Sequence, residues 1–144
     1  MNISDRGLEL IKEFEGCKLV AYLDSVNVPT IGYGHTKDVR IGDRCTKEQA
    51  DEWLREDVQD AEACVNREVT AAINQNEFDA LCSFVFNLGC GNFRKSTLLR
   101  KLNDSDYDGA SLEFAKWNRA AGLELAGLTA RRAAEAELFD TESA

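Results

Sequence analysis

The amino-acid sequence predicts an α+β protein with a small antiparallel sheet in its N-terminal third. The order of patterns carries this prediction: one helical stretch, then short strands and glycine-rich turns, then helical stretches to the end. With 144 residues the chain has the length of one domain. We expect a sheet lobe over about residues 16–45, a connecting helix over about 47–66 and a helical lobe over about 67–144, with a cleft between the lobes.

The first helix is predicted over residues 5–15. Ser4 suits its N-cap, apolar residues follow at helical spacing, and Gly16 supplies a stop, so Glu15 falls on the last turn. The pattern then changes to that of strands from residue 18 to residue 34, with a polar turn at residues 25–29. This stretch predicts two antiparallel strands joined as a hairpin.

The later helices are indicated by capping motifs and apolar stripes. Thr46 and Gln49 form a capping box ahead of a stripe that continues to about residue 66, which predicts the longest helix of the chain. Asn74 and Glu77 begin a strongly apolar helix, which we expect to be central and buried. Shorter helices are predicted over residues 96–103, 107–118 and 128–139.

Charge and cysteine content exclude several classes of protein. The net charge of −9 argues against a nucleic-acid binder, although residues 92–132 alone hold eight basic and five acidic side chains. The five cysteines are odd in number and lack the paired short spacings of a zinc site, so we expect small buried hydrophobic residues and neither a disulfide framework nor a metal. We expect a monomer.

The beginning of the chain bears on where the protein is made. Residues 1–6 lack the basic start and apolar run of a secretory signal, and no stretch of the sequence has the length and apolarity of a membrane span. We therefore expect synthesis in the cytoplasm. A substrate beyond the membrane would require a separate membrane-permeabilising protein.

Three residues near the predicted hairpin have the chemistry of glycoside hydrolysis. This reaction needs a carboxylic acid that protonates the leaving oxygen and a second group that handles water or the developing positive charge. Glu15 lies at the negative end of a helix dipole, which favours the protonated form, and the hairpin brings Asp24 and Thr30 to one side. A surface glutamate and an aspartate that caps its own turn are the competing interpretation.

The surrounding sequence decides between these interpretations. In the N-terminal third the informative residues are Glu15-Gly16, Leu19, Ala21-Tyr22, Asp24 and the run from Thr30 to Thr36. Further blocks follow in order: Gln75, Phe78 to Leu81, Ser83-Phe84, Phe86-Asn87, Gly89, Ser96-Thr97, Gly127-Leu128, Arg131-Arg132, Glu135 and Leu138-Phe139. Together they resemble the phage-type lysozymes of glycoside hydrolase family 24, over almost the whole chain.

The resemblance implies a lysozyme-like fold and the activity of an endolysin. The bond cut would be the β-1,4 linkage between N-acetylmuramic acid and N-acetylglucosamine in bacterial peptidoglycan, and host lysis would release the phage. By position, the catalytic triad falls on Glu15, Asp24 and Thr30, with inversion at the sugar carbon and no cofactor.

The resemblance also implies substrate-binding positions, with glycan expected along the cleft at Thr36, Phe86, Asn87 and Ser96. For three of these the local pattern offers a structural alternative: Phe86 as a core residue, Asn87 as a helix C-terminal residue and Ser96 as an N-cap.

Other polar residues near these motifs are expected to be structural. We expect His35 to be a structural hydrogen-bonding residue and Arg131 and Arg132 to join a surface salt-bridge network with Glu135.

Two other functions remain open from the residues. A lytic transglycosylase uses one acid and the substrate's own hydroxyl, leaves anhydro ends, and would not need Asp24 or Thr30. A non-catalytic peptidoglycan-binding module could retain the same fold. The products released from peptidoglycan discriminate among the three.

Overall fold

The computed structural model describes residues 1–120 and 122–142, and over these the α+β class is confirmed. The elements, in chain order, are α1 (Asp5–Glu15), β1 (Lys18–Leu23), β2 (Pro29–Gly32), α2 (Lys47–Asp57), α3 (Gln59–Glu68), α4 (Gln75–Leu88), α5 (Cys90–Arg94), α6 (Thr97–Asn103), α7 (Tyr107–Glu113), a 3-10 helix (Phe114–Lys116), β3 (Arg119–Ala120), β4 (Leu123–Glu124) and α8 (Ala126–Asp140). None of the described helices is both long and apolar enough to cross a membrane.

The chain forms two compact units. One consists of Ile11–Gln59, and the other combines Met1–Leu10 with Asp60–Ala144. The first unit holds the β1–β2 sheet and α2, and the second holds α3 to α8.

The unit Ile11–Gln59 is built around the predicted hairpin. Strands β1 and β2 pair antiparallel, with Tyr22 opposite Thr30 and Leu23 opposite Pro29. The loop after β2 returns to β1, where the Cys45 N–H donates to the Leu19 carbonyl at 2.9 Å. Helix α2 packs closely on β2 at Gly32. A Cβ atom on this glycine would lie only 3.1 Å from the Cβ of Ala50.

The single helix predicted over residues 47–66 is wrong, because the segment consists of the two helices α2 and α3. Helix α2 ends at Asp57, and Val58 caps it with its N–H on the carbonyls of Leu54 and Glu56. The buried residues Leu54, Val58 and Ala61 keep spacings of three and four across the break, so the apolar pattern does not register it. The longest described helix is therefore α8, with 15 residues.

The other unit has α4 at its centre, as its apolar pattern predicts. Asn74 and Glu77 form the capping box at its start, and every side chain from Phe78 to Val85 is buried. Asp79 is the charged member of this buried stretch, and it accepts hydrogen bonds from the Ser4 N–H at 3.0 Å and the Gln75 side chain at 2.7 Å. Its carboxylate is therefore solvated by protein donors, as a buried charge requires.

Arg131 and Arg132 lie in the core between α4 and α8, so the predicted surface network is wrong in its location. Arg132 and Glu135 are 0% exposed, and Arg132 Nε lies 2.8 Å from Glu135 Oε1. The other carboxylate oxygen accepts from Ser83 Oγ at 2.6 Å. The guanidinium also stacks over the Phe84 ring at 5.1 Å. The pairing itself was predicted; its burial follows from packing against α4, which the α8 sequence alone does not show.

The region after α6 departs from the predicted elements in detail. The helix predicted over residues 107–118 is divided into α7 and a 3-10 helix. The two-residue strands β3 and β4 pair antiparallel, and the sequence did not predict them. The short helix α5 was not predicted either. Elements of two to five residues bury too little to leave a periodic signal.

The expectation that no cysteine is paired is also wrong. Cys64 of α3 and Cys90 of α5 form a disulfide across 26 positions of sequence. Cys17, Cys45 and Cys82 are free thiols. An odd number of cysteines excludes complete pairing and nothing more, and the two partners are too far apart in sequence to be matched from spacing.

Reducing the Cys64–Cys90 disulfide is expected to destabilise the protein. Opening a covalent loop across 26 positions restores conformational entropy to the unfolded chain, worth about 3 kcal/mol of unfolding free energy. Urea denaturation of Cys64→Ser and of Cys90→Ser measures this loss, and reductant should add nothing further to either variant. Cys45→Ser, at a half-buried free thiol, is the control and should unfold as the unchanged protein does. Equal midpoints for all three variants would contradict the prediction.

Candidate active site

Glu15 is the last residue of α1, as predicted. The helix stops there because Gly16 takes a φ of +69°, while its N–H still donates to the Lys12 carbonyl at 3.0 Å. Glycine adopts this left-handed conformation without the strain that a Cβ atom adds. The half-buried Glu15 side chain thus sits at the carboxyl end of the helix.

The Glu15 carboxyl packs directly against the backbone of Gly34. A Cβ atom on Gly34 would lie 2.9 Å from Glu15 Oε1, so no larger residue fits there without moving the carboxyl. Gly34 also has a φ of +80°. It belongs to a tight turn whose base is closed by two backbone hydrogen bonds of 2.9 Å between Ile31 and His35.

Asp24 follows β1 and is held by the turn that it begins. Its Oδ1 accepts the N–H groups of Val26 and Val28, each at 2.9 Å. Both of these hydrogen bonds end on the same oxygen, which orients the carboxylate and directs Oδ2 away from the turn. Asp24 is therefore the turn-capping aspartate of the competing interpretation, yet it retains an oxygen that can accept a proton.

Thr30 is tied to the same turn through Val28. The Thr30 hydroxyl donates to the Val28 carbonyl at 2.8 Å, while the Val28 N–H donates to Asp24. Thr30 is buried, with 4% of its surface exposed, so its hydroxyl has one fixed direction. Since its proton is used by Val28, the lone pairs of the hydroxyl oxygen are what it offers to a water molecule.

His35 fastens the turn to α2. Its Nδ1 lies 2.8 Å from Asp57 Oδ2, and its ring stacks on Trp53 with centroids 4.5 Å apart and planes 6° from parallel. The side chain is buried. The structural role expected for His35 is confirmed, because its ring contacts Asp57 and Trp53 of α2.

Tyr33 makes a second attachment on the other side of the turn. Its phenol hydrogen-bonds with Cys17 and Asp51, and burial together with these two acidic neighbours raises the pKa of Tyr33 to about 12. Lys12, which is paired with Asp51 at 3.1 Å, approaches the Tyr33 ring face at 5.6 Å. These contacts join the end of α1, the turn and α2 around the Glu15 carboxyl.

The predicted catalytic residues all belong to the unit Ile11–Gln59, and so does Thr36. Thr36 is exposed and follows the Ile31–His35 turn. This unit therefore supplies one carboxyl at a helix end, a second carboxylate with a free oxygen, and a buried hydroxyl. Such a set can donate a proton from one group and orient a water molecule with the other two.

The remaining predicted substrate residues belong to the other unit. Phe86 is half-buried and Asn87 exposed, and Asn87 Oδ1 accepts from Arg132 Nη2 at 3.0 Å. Ser96 is buried as the N-cap of α6: its hydroxyl accepts from the Leu99 N–H at 3.1 Å and donates to the Phe93 carbonyl at 2.7 Å. The N-cap interpretation of Ser96 is thus confirmed, and its contact with the glycan stays a prediction.

Sequence reasoning missed the residues that hold the catalytic groups in place. Gly34 carried a signal, since a glycine directly after a buried aromatic strand marks a close backbone approach. Asp57 carried none, because it is one of many acidic residues on α2. Val28 acts through its backbone alone, which no side-chain motif reveals.

Comparisons with known proteins agree with this arrangement of elements. Residues 12–135 match the family model for phage lysozyme. The endolysin of Acyrthosiphon pisum secondary endosymbiont phage 1 is 48% identical over 98% of this chain and 99% of its own length. The endolysin of Bacillus phage PZA is 44% identical over 98% of this chain, which spans 56% of that longer protein.

A solved structure shows the same fold. The muramidase domain of SpmX from Asticaccaulis excentricus superposes with a TM-score of 0.93 at 41% identity. The match covers 98% of this chain and 99% of that domain. The lysozyme-like fold predicted from the sequence is confirmed.

Replacing Gly34 by alanine is expected to destabilise the protein by about 1 to 3 kcal/mol through backbone strain, with a small further cost for displacing the flexible Glu15 side chain. Gly42→Ala is the matched control, because Gly42 has a φ of +98° with no atom within 4 Å of a Cβ. Urea denaturation of both variants is then repeated in a Glu15→Ala background. Removing the carboxyl should reduce the cost of Gly34→Ala to near that of Gly42→Ala. An unchanged cost would show that the carboxyl does not press on Gly34.

Proposed function

The chain belongs to the phage lysozyme family, and on that premise we propose that Glu15, Asp24 and Thr30 hydrolyse glycosidic bonds of bacterial peptidoglycan. The bond is the β-1,4 linkage between N-acetylmuramic acid and N-acetylglucosamine. The observation that carries the proposal is that one compact unit supplies an acid at a helix end and a carboxylate–hydroxyl pair joined through Val28.

Glu15 is the general acid of the proposed reaction. Its proton passes to the glycosidic oxygen as the bond to the leaving sugar breaks, which prevents the loss of an unstable alkoxide. Glu15 ends α1 and is half-buried, so its carboxyl remains accessible to a glycosidic oxygen. Gly34 lacks a side chain and so leaves room for the carboxyl in this position.

Asp24 and Thr30 hold the attacking water. One hydrogen of the water donates to Asp24 Oδ2, and the other donates to the Thr30 oxygen, whose own proton is bound by Val28. The lone pair of the water then points toward the anomeric carbon. As the new bond forms, Asp24 accepts the proton, and Glu15 is left as the carboxylate.

Attack by a held water on the face opposite the acid inverts the configuration of the anomeric carbon. This geometry requires the two carboxyl groups to stand about 6.5 to 9.5 Å apart, because the water occupies the space between carboxylate and sugar. Proton NMR of the first product formed distinguishes the α anomer of inversion from the β anomer of retention.

Thr36, Phe86 and Asn87 are proposed to contact the glycan. Because Asn87 Oδ1 accepts from Arg132, its amide nitrogen is oriented outward as a donor, which suits the carbonyl of an acetamido group. Phe86 offers an apolar ring edge to a sugar face, and Thr36 an exposed hydroxyl. Asn87→Ala should raise KM more than it lowers kcat.

Access to peptidoglycan requires passage of the inner membrane if the enzyme is made in the host cytoplasm. We propose that a separate membrane-permeabilising protein provides this passage. Cells that express the chain alone should remain intact, and addition of a membrane-permeabilising agent should trigger lysis at once. Lysis without permeabilisation would contradict this part of the proposal.

Digestion of purified peptidoglycan tests the reaction class. Mass spectrometry of the soluble fragments should show reducing N-acetylmuramic acid ends, which carry the added water. Anhydro ends would instead show a transglycosylase, and binding without soluble fragments would show a binding module. Either result overturns the proposal.

Glu15→Gln is expected to lower the rate of peptidoglycan solubilisation by a factor of at least about 10² to 10⁴, since the amide cannot donate an acidic proton. The fold should be retained, as checked by circular dichroism. Glu13→Gln is the matched control, because Glu13 is an exposed glutamate in the same last turn of α1 and should keep the unchanged rate. Equal rates for the two variants would exclude Glu15 as the acid.

Asp24→Asn and Thr30→Val are expected to remove the two contacts to water separately. Asparagine retains an Oδ1 for the turn but cannot take a proton, so the rate should fall by about 10² or more. Valine deletes the Thr30 hydroxyl at nearly constant volume, whereas Thr30→Ser retains it and should restore much of the rate. Turnover of purified peptidoglycan is the measurement, and a serine variant no better than valine would contradict the role of the hydroxyl.

A further inference from the structure

A pocket of about 410 Å³ lies beside the short helix α6, and its lining includes none of the three proposed catalytic residues. Its lining residues are Arg94, Lys95, Ser96, Thr97, Leu99, Arg100, Asn103 and Asp104. All of them belong to one compact unit of the chain. The pocket is open to solvent, so a small ligand or the tip of a larger one can enter it.

Three cationic side chains converge on this pocket. Arg94, Lys95 and Arg100 are exposed, and across residues 1–120 and 122–142 none of them has a salt bridge. Lys101, the next residue along α6, differs because it is paired with Glu113 at 3.3 Å. With one carboxylate, Asp104, the lining carries a formal charge of +2 in a chain whose net charge is −9.

The walls of the pocket are fixed by hydrogen bonds and by the core. Asn103 donates to the Glu68 carbonyl at 3.0 Å and accepts the Thr70 N–H at 2.8 Å, which ties the end of α6 to the segment after α3. Ser96 caps the other end of the helix. Leu98 and Leu102 are fully buried, so the backbone that carries the three cations is anchored from below.

We propose that Arg94, Lys95 and Arg100 form a binding site for a phosphate monoester. Such a group carries about 1.5 to 2 negative charges at neutral pH, which matches the formal charge of the lining. Two guanidinium groups can each bind phosphate oxygens in a bidentate manner, and the lysine adds a point charge. A single carboxylate would leave half of the formal positive charge of the pocket unbalanced.

The negative charge of the rest of the chain favours binding of an anionic ligand at this pocket over other parts of the surface. An anionic ligand is repelled by a surface with a net charge of −9 and attracted where cations exceed acids, so it is directed to this pocket. The phosphate can belong to a soluble metabolite or to a lipid headgroup, and the chemistry of recognition is the same in both cases. The site lies outside the proposed catalytic residues, so its occupancy does not depend on peptidoglycan hydrolysis.

Titration of the ¹⁵N-labelled protein with inorganic phosphate tests the site directly. Amide resonances of residues 94–104 should shift in a saturable manner, and added sodium chloride should weaken binding because the cations are exposed. The variant R94Q/K95Q/R100Q should lower the affinity by at least about tenfold. The control R6Q/R40Q/K47Q also removes two arginines and one lysine, but from exposed positions elsewhere in the chain. It should bind phosphate as the unchanged protein does.

Two further arms identify the source of the phosphate. Vesicles of phosphatidylcholine with phosphatidic acid, which is a phosphate monoester, are compared with vesicles of phosphatidylcholine alone in a flotation assay. Flotation with phosphatidic acid that the first variant loses and the control keeps indicates a lipid headgroup. Saturable shifts with phosphate and no flotation indicate a soluble ligand. Unsaturable shifts, or equal affinities of the two triple variants, overturn the proposal, and circular dichroism establishes that both variants are folded.

Discussion

The Glu15 carboxyl lies against the backbone of Gly34, and the candidate active site depends on this close approach. For the contact to exist, α1 must end at Glu15, which the left-handed Gly16 ensures, and the turn must present a residue without a side chain. His35 holds this turn by its hydrogen bond with Asp57 and its stacking on Trp53. A helix end, a tight turn and a second helix thereby determine where one acidic proton can be delivered.

The water-handling pair has a different origin, because it is built by a hairpin and not by a helix end. The carbonyl of Val28 accepts from Thr30 and its N–H donates to Asp24, so the backbone of one residue orients two side chains. The antiparallel register places Tyr22 opposite Thr30 and Leu23 opposite Pro29, and Asp24 follows directly. The geometry of the pair is thus a consequence of the turn, and it persists as long as the turn does.

Local signals in the sequence were sufficient for most elements and for the three catalytic candidates. The capping box of Asn74 and Glu77, the stop at Gly16 and the apolar run of α4 depend on neighbours within a few residues, and all three are present in the structure. The failures concern distant partners. The disulfide joins Cys64 to Cys90, and the end of α2 at Asp57 coincides with a hydrogen bond to His35, 22 residues away. No periodic pattern within either helix contains that information.

The cations of the chain show why burial could not be predicted from their spacing. Arg131 and Arg132 are adjacent in sequence, as are Arg94 and Lys95, and both pairs stand near leucines. The first pair is buried, which is possible only because Glu135, Ser83 and Asn87 supply acceptors at the same place. The second pair forms no salt bridge with any residue that the structure describes, and a charge without such a partner is stable where it faces water. Cations without internal partners are therefore concentrated on the surface, where an external anion is the only group left to neutralise them.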